Sequence, residues 1–324
     1  MEILEEDKSL IKRRSPRASG LLLLRVFLYC FLGNIVSQLI LSGFFLLWGD
    51  GKGSDLWNSM DLGDVFAQDP FLLLFSMGWT TLGTFIIPAW IIQHRFSEID
   101  SFGEHSWKEW DLITWVLAFL IMLSFLPLNT WFIYWNRAIS FPESWSSLEH
   151  WLEEREARVQ GLIHLILGIR GNFLHYVGVF TVLAILPGIG EEILFRGILQ
   201  PLFLSIFKQR DLSIWLVAIV FGLLHAQFYG LFPRICLGAL FGYLFYFSGQ
   251  LGLPIFLHIA NNGLLILLHY LGVAEKIELS VEEPGLFSLV LGSILLIVFG
   301  YLFLVRQQKK FGLLRGFKVK IKSW

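Results

Sequence analysis

Three short polar groups interrupt the apolar second half of the chain, at PGIGEEILFRG (187–197), FGLLH (221–225) and HIANN (258–262). A charge at the centre of a membrane helix costs roughly 2.5–3.5 kcal/mol on insertion scales, so such residues usually line an internal site. At ~100° per residue, Glu192 and Arg196 stand i and i+4 on one helix face, where an ion pair can neutralise both. Glu191 points about 140° away from Arg196 by the same rule and has no partner in its own helix. The pair reads as structural, and Glu191 is the carboxylate left for chemistry. PGIG, just before it, is expected to interrupt the helix and to place Glu191 near a helix N-terminus, where the dipole favours a carboxylate.

The other two groups repeat the i, i+4 spacing, Phe221 with His225 and His258 with Asn262. One carboxylate and two imidazoles suffice to activate a water. Glu191 takes its proton, while His225 and His258 either bind a metal together with Glu191 or hydrogen-bond the water. Asn262, an uncharged donor, suits a developing oxyanion. The chemistry these residues point to is peptide-bond hydrolysis within a membrane. A single histidine in a helix bundle is more often a hydrogen-bonded core residue than a ligand, and the presence of His164, His175 and His269 in or near apolar runs shows how cheap that single signal is; the weight lies on the three groups together.

The rest of the chain must hold these residues in a bilayer. Hydrophobic residues make up 55% and charged residues 16%, with mean hydropathy +0.64, too apolar for a soluble domain. The apolar residues fall in runs near the ~20 residues that cross ~30 Å of hydrocarbon, without the alternation of a β-barrel. The expected fold class is all-α, a polytopic transmembrane helix bundle. Spans are expected at about 21–48, 70–93, 112–135, 172–207, 211–227, 231–249, 252–271 and 284–305, eight in all. The first run is too long for the ~7–15 apolar residues of a secretory signal and no small-residue cleavage site follows, so it reads as a retained span.

Lys8, Lys12, Arg13, Arg14 and Arg17 precede the first run, and Arg306, Lys309, Lys310, Arg315, Lys318, Lys320 and Lys322 follow or close the last. The positive-inside rule then places both termini in the cytoplasm and requires an even number of spans. Trp48, Trp57, Trp107, Trp110, Trp131 and Trp135 near the run ends fit an interfacial belt. A net charge of -1 gives no reason to expect a nucleic-acid partner. Cys30 and Cys236 both lie in apolar runs, which leaves neither a disulfide framework nor a cysteine metal site.

The organisation read from these runs is a polar cytoplasmic arm (1–19), N-terminal transmembrane helices (20–171), a catalytic four-helix core (172–271), and a last helix with a basic tail (272–324). GDGKGSDLWNSMDLGD (49–64) reads as an outside loop. The segment at about 136–170 is amphipathic, lying at the interface, packed on the bundle, or serving as a solvated connector. GALFG (238–242) is a small-xxx-small pair suited to close helix packing. With these boundaries His225 lies ~21 Å along its span and His258 only ~9 Å along its own, a difference in depth that a shared site has to remove.

EEILFR (191–196), FGLLH and HIANN resemble, in that order, the EExxxR, FxxxH and HxxxN motifs of the CAAX-protease and bacteriocin-processing family of intramembrane endopeptidases. The family includes the type II CAAX prenyl protease and many prokaryotic members also called abortive-infection proteins. The resemblance covers about residues 172–271. It implies that Glu191 is the base acting on water, that Glu192, Arg196 and Phe221 support it, that His225 and His258 complete a water or metal site, and that Asn262 holds the oxyanion. It further implies a divalent metal such as zinc, although no HExxH motif occurs. The implied partner is a membrane-delivered protein or peptide, CAAX-like or prenylated, cut at a site opening to the cytoplasm, and the implied location is a prokaryotic inner membrane. The competing class is a non-enzymatic membrane protein, either a transporter with a Glu/His relay or a bacteriocin-immunity partner. A transporter more typically carries repeats and broken helices in both halves, whereas the polar groups here occupy one half.

Overall fold

A computed structural model describes residues 16–48, 70–95, 111–167, 173–271 and 285–311. The loop expected at 49–64, most of the polar arm, Trp57, Trp107, Trp110 and most of the basic tail lie outside the described residues. Those described form helices and no strand. In chain order they are α1 (Pro16–Trp48), α2 (Pro70–Thr81, a π turn Leu82–Ile86, then Ile87–Arg95), α3 (Leu112–Arg137), α4 (Ser146–Leu167), α5 (Phe173–Phe207), α6 (Arg210–Leu224), α7 (Leu231–Ser248), α8 (Gly252–Tyr270) and α9 (Leu286–Phe311).

Seven of these, all but α4 and α6, are long and apolar enough to cross a membrane. Large apolar side chains on their outer faces are open, among them Leu24, Phe31, Phe71 and Ile297. With no water there to penalise them, these faces are where lipid sits. The chain is a multi-pass integral membrane protein.

The run expected at 211–227 is a shorter helix than the sequence predicts. α6 has 15 residues, so it is about 22 Å long and falls short of ~30 Å of hydrocarbon. It ends because His225 caps it and Ala226 turns into the left-handed region at φ 51°. Seven candidate spans are one short of the eight expected, and the even count that the basic flanks require is met only when α6 is counted.

α5 is the axis of the bundle. α1 packs on α2 and on the end of α5, and α8 lies along the middle of α5 and also meets α3 and α7. α6 pairs with α7, and α9 pairs with α3. Arg306 of α9 makes a two-toothed bond to Asp111 before α3, at 2.5 and 2.6 Å. That guanidinium holds the Asp111 carboxyl well below the ordinary carboxylate range. The GALFG glycines serve packing within the chain. A Cβ at Gly238 would meet Phe221 and Ala218 of α6, and one at Gly242 would meet Ile214 of α6 at 2.9 Å.

PGIG does not interrupt α5. Ile185 before it (φ -69°, ψ -52°) and Glu192 after it (φ -66°, ψ -37°) are both helical, and the helix runs 35 residues from Phe173 to Phe207. Glu191 therefore sits mid-helix, away from any N-terminus. The chain absorbs Pro187 by switching to π geometry at Thr181–Ile185, a known way for a membrane helix to carry proline. A second π turn follows at Ile193–Leu199. The glycines of PGIG bring neighbours close instead: a Cβ at Gly188 would lie 2.6 Å from Ile259 Cγ1 and 3.2 Å from its backbone nitrogen on α8. Gly188→Ala should therefore push α8 off α5 and destabilise the protein by about 1–3 kcal/mol. A melting curve of the purified variant that overlays the wild type would contradict that contact.

Candidate active site

The sequence-predicted residues separate into two adjoining groups. The first surrounds a cavity of about 170 Å³ lined by Phe85, Glu191, Phe195, Phe221, Leu224 and His225. Only Glu191 and His225 bring ionisable groups to it. Glu191 is buried, and its Oε2 accepts no hydrogen bond from any described residue. An unpartnered buried carboxylate oxygen is costly unless something occupies it during function. Across the cavity, His225 Nδ1 is 2.9 Å from the Phe221 carbonyl oxygen. A carbonyl can only accept, so Nδ1 carries the proton and Nε2 keeps its lone pair for the cavity's contents.

The second group is a buried triad behind the first. Arg196 Nη1 donates to Glu192 Oε1 at 2.8 Å, and His258 Nδ1 donates to the same oxygen at 2.8 Å. Side-chain exposures of 0% for Glu192, 1% for Arg196 and 8% for His258 place all three away from solvent. Arg196 Nη2 also donates to the Gly238 carbonyl of α7 at 2.8 Å. The cation is thus tied to α5, α7 and, through Glu192, α8.

Phe221 stands between the two groups. Its ring meets His225 edge-on at 4.9 Å, Phe195 at 5.1 Å and His258 at 6.1 Å, and the Arg196 guanidinium lies 5.2 Å from its centroid. Both histidines therefore reach one ring, which removes the difference in depth that the expected span ends implied.

Several expected placements differ. His258 was grouped with Glu191 and His225, but it bonds Glu192 and does not line the cavity. Asn262 does not line it either: its Nδ2 donates to the Leu183 carbonyl of α5 at 3.1 Å, and its Oδ1 accepts from Asn261 at 3.2 Å. His175 turns to the Ile166 carbonyl, His164 lies against His269, and none of the three lines the cavity.

The metal implied by the resemblance does not find its ligands. Among the described residues no three His, Cys, Asp or Glu side chains are grouped to hold one. Glu191 and His225 supply two donors where catalytic zinc uses three, because His258 is turned to Glu192.

Two contributions come from the first 170 residues, where no motif marks them. Phe85, on the π turn of α2, walls the cavity. The amphipathic helix α4 packs on the bundle, where Arg155 Nε donates to the Ala226 carbonyl at 3.1 Å and Gln227 Nε2 reaches Glu156 at 3.4 Å. α4 thereby braces the strained turn that follows His225. Its mixed charge announced an amphipathic helix, but nothing in the sequence named its partner.

No curated protein and no solved structure was found to match the chain. Residues 173–264, under a third of the chain, match the sequence model of a family described as Type II CAAX prenyl endopeptidase Rce1-like. The matched stretch contains the carboxylates, both histidines, Arg196 and Asn262, so the triad and every residue lining the cavity except Phe85 lie in the part of this membrane protein that is similar to the Rce1-like type II CAAX prenyl endopeptidases.

Proposed function

We propose that this chain is an intramembrane endopeptidase that hydrolyses a peptide bond of a membrane-delivered protein or peptide, with Glu191 as the base. The observation that carries this reading is the Glu191 Oε2 atom, buried and unpartnered, facing the same cavity as His225. A water held there gives one hydrogen to Glu191 and directs the other to His225 Nε2, which aims its lone pair at a carbonyl carbon. Attack forms the carbon–oxygen bond as Glu191 accepts the proton. Collapse of the tetrahedral intermediate breaks the carbon–nitrogen bond, and the departing amine takes that proton back. The triad of Glu192, Arg196 and His258 takes no proton in this scheme; it fixes the segment of α5 on which Glu191 sits.

The substrate class that goes with the matched family is a CAAX-type C-terminal segment, presented from the membrane. The aromatic walls at Phe85, Phe195 and Phe221 suit an apolar side chain beside the bond to be cut. His225→Ala should lower cleavage of such a peptide by about 10²-fold or more while the protein still folds and accumulates in the membrane, since His225 contributes one hydrogen bond within its own helix and one ring contact, with Phe221. Unchanged cleavage by the purified variant in nanodiscs would remove His225 from the mechanism.

A further inference from the structure

The cavity is open at its His225 end, where Leu224, His225 and Ala226 are exposed. The chain turns there and enters α7, whose first turn carries a half-buried cation that the proposed chemistry does not use, Arg234. Its Nη1 donates to the Gln227 carbonyl at 3.3 Å and its Nη2 to Gln227 Oε1 at 2.7 Å. Those are its hydrogen bonds among the described residues, and they leave the rest of its donor fork open. Neither acceptor carries a charge. Gln227 Nε2 in turn reaches Glu156 Oε1 of α4 at 3.4 Å, so a neutral amide stands between that carboxylate and the guanidinium. A Cβ at Gly230 would lie 2.6 Å from Nη1, and the space left by its missing side chain is what the guanidinium fills. The charge of Arg234 also acts on both Glu191 and His225. Gln227 is two residues from His225 and bonds the guanidinium directly, so the fork lies no more than ~13 Å from the His225 backbone, the reach of about four extended residues.

We infer that Arg234 is a specificity-determining residue that binds the terminal carboxylate of the substrate on the N–H groups Gln227 leaves open, while the bond to be cut lies between Glu191 and His225. A planar guanidinium matches the two oxygens of a carboxylate, and a cation held by a neutral amide has no ion pair to break before it binds one. The backbone of a peptide offers a carboxylate only at its C-terminal end, so Arg234 selects for C-terminal segments. The inference rests on the endopeptidase reading for the cut; the capture of a carboxylate stands apart from it.

The test compares one membrane-delivered peptide made with a free C-terminal carboxylate and with a C-terminal amide, each offered to the full-length protein in nanodiscs. Wild type should favour the acid in kcat/KM by about 10- to 10²-fold, the effect of a hydrogen bond to a charged group. Arg234→Gln should lose that preference, and Arg234→Lys should keep part of it, because an ammonium retains the charge without the fork. A wild type that cleaves both peptides equally well overturns the inference, and so does an Arg234→Gln protein that keeps the preference. A preference kept by Arg234→Gln and lost in Arg155→Gln would give the carboxylate to Arg155, which bonds the same turn at Ala226. Cleavage of neither peptide by wild type refutes the endopeptidase reading alone. Binding of fluorescent acid and amide peptides then decides the role of Arg234: tighter binding of the acid to wild type but not to Arg234→Gln supports it, and equal binding of the two peptides to wild type overturns it.

Discussion

Glu191→Gln lowers the rate of peptide cleavage by about 10²–10⁴-fold, the range that a positioned general base contributes, while accumulation in the membrane and Tm stay at wild-type values. The substitution keeps the shape of the side chain and removes its capacity to take a proton. Because Oε2 has no partner among the described residues, replacing it with an amide breaks no hydrogen bond. That distinguishes Glu191 from its neighbour, whose Oε1 serves two donors. The effect should not add to that of His225→Ala. If both residues act on one water, the double variant is about as slow as the slower single variant. A double variant slower by the product of the two separate effects would mean that they act on different steps.

Arg196→Ala has the largest expected effect on stability, about 3–5 kcal/mol, the usual result of stripping one partner from a buried charge pair. Glu192 would remain fully buried with His258 as its only partner, and the Gly238 carbonyl would lose its donor. The methylene stem and the guanidinium face against Phe221 would go as well. Arg196→Lys should recover only part of the loss, because an ammonium lacks the fork that reaches Glu192 and Gly238 together. The measurements are yield from membranes and Tm in detergent; an Arg196→Ala protein that matches wild type in both would remove the triad as a structural support.

The helical architecture was legible because hydrocarbon thickness imposes a run length that composition reveals directly. The Glu192–Arg196 pair was legible for a similar reason, since i, i+4 contacts are local. The same wheel separated Glu191 from Arg196, and the structure keeps that separation. What failed depended on neighbouring helices, although the meeting of Glu191 and His225 across α5 and α6 did not fail. PGIG reads as a helix break only while α5 is considered alone. In the bundle, a π turn accommodates Pro187, and Asn262 of α8 donates to the Leu183 carbonyl beside it. His258 was assigned to the cavity because imidazoles suit water and metals, but a buried Glu192 shared with Arg196 is the partner within its reach. Phe85 and Arg155 carry no motif, and their contacts join parts of the chain that only the tertiary fold brings together.

The central claim is that the cavity between Glu191 and His225 hydrolyses a peptide bond. The most direct measurement incubates purified wild-type protein in nanodiscs with a membrane-delivered CAAX-type peptide in oxygen-18 water and identifies the products by mass spectrometry. The account predicts a single cut, with oxygen-18 in the new C-terminal carboxylate and no product from Glu191→Gln. Recovery of an intact peptide from wild type, or an equal yield of product from Glu191→Gln, would contradict it.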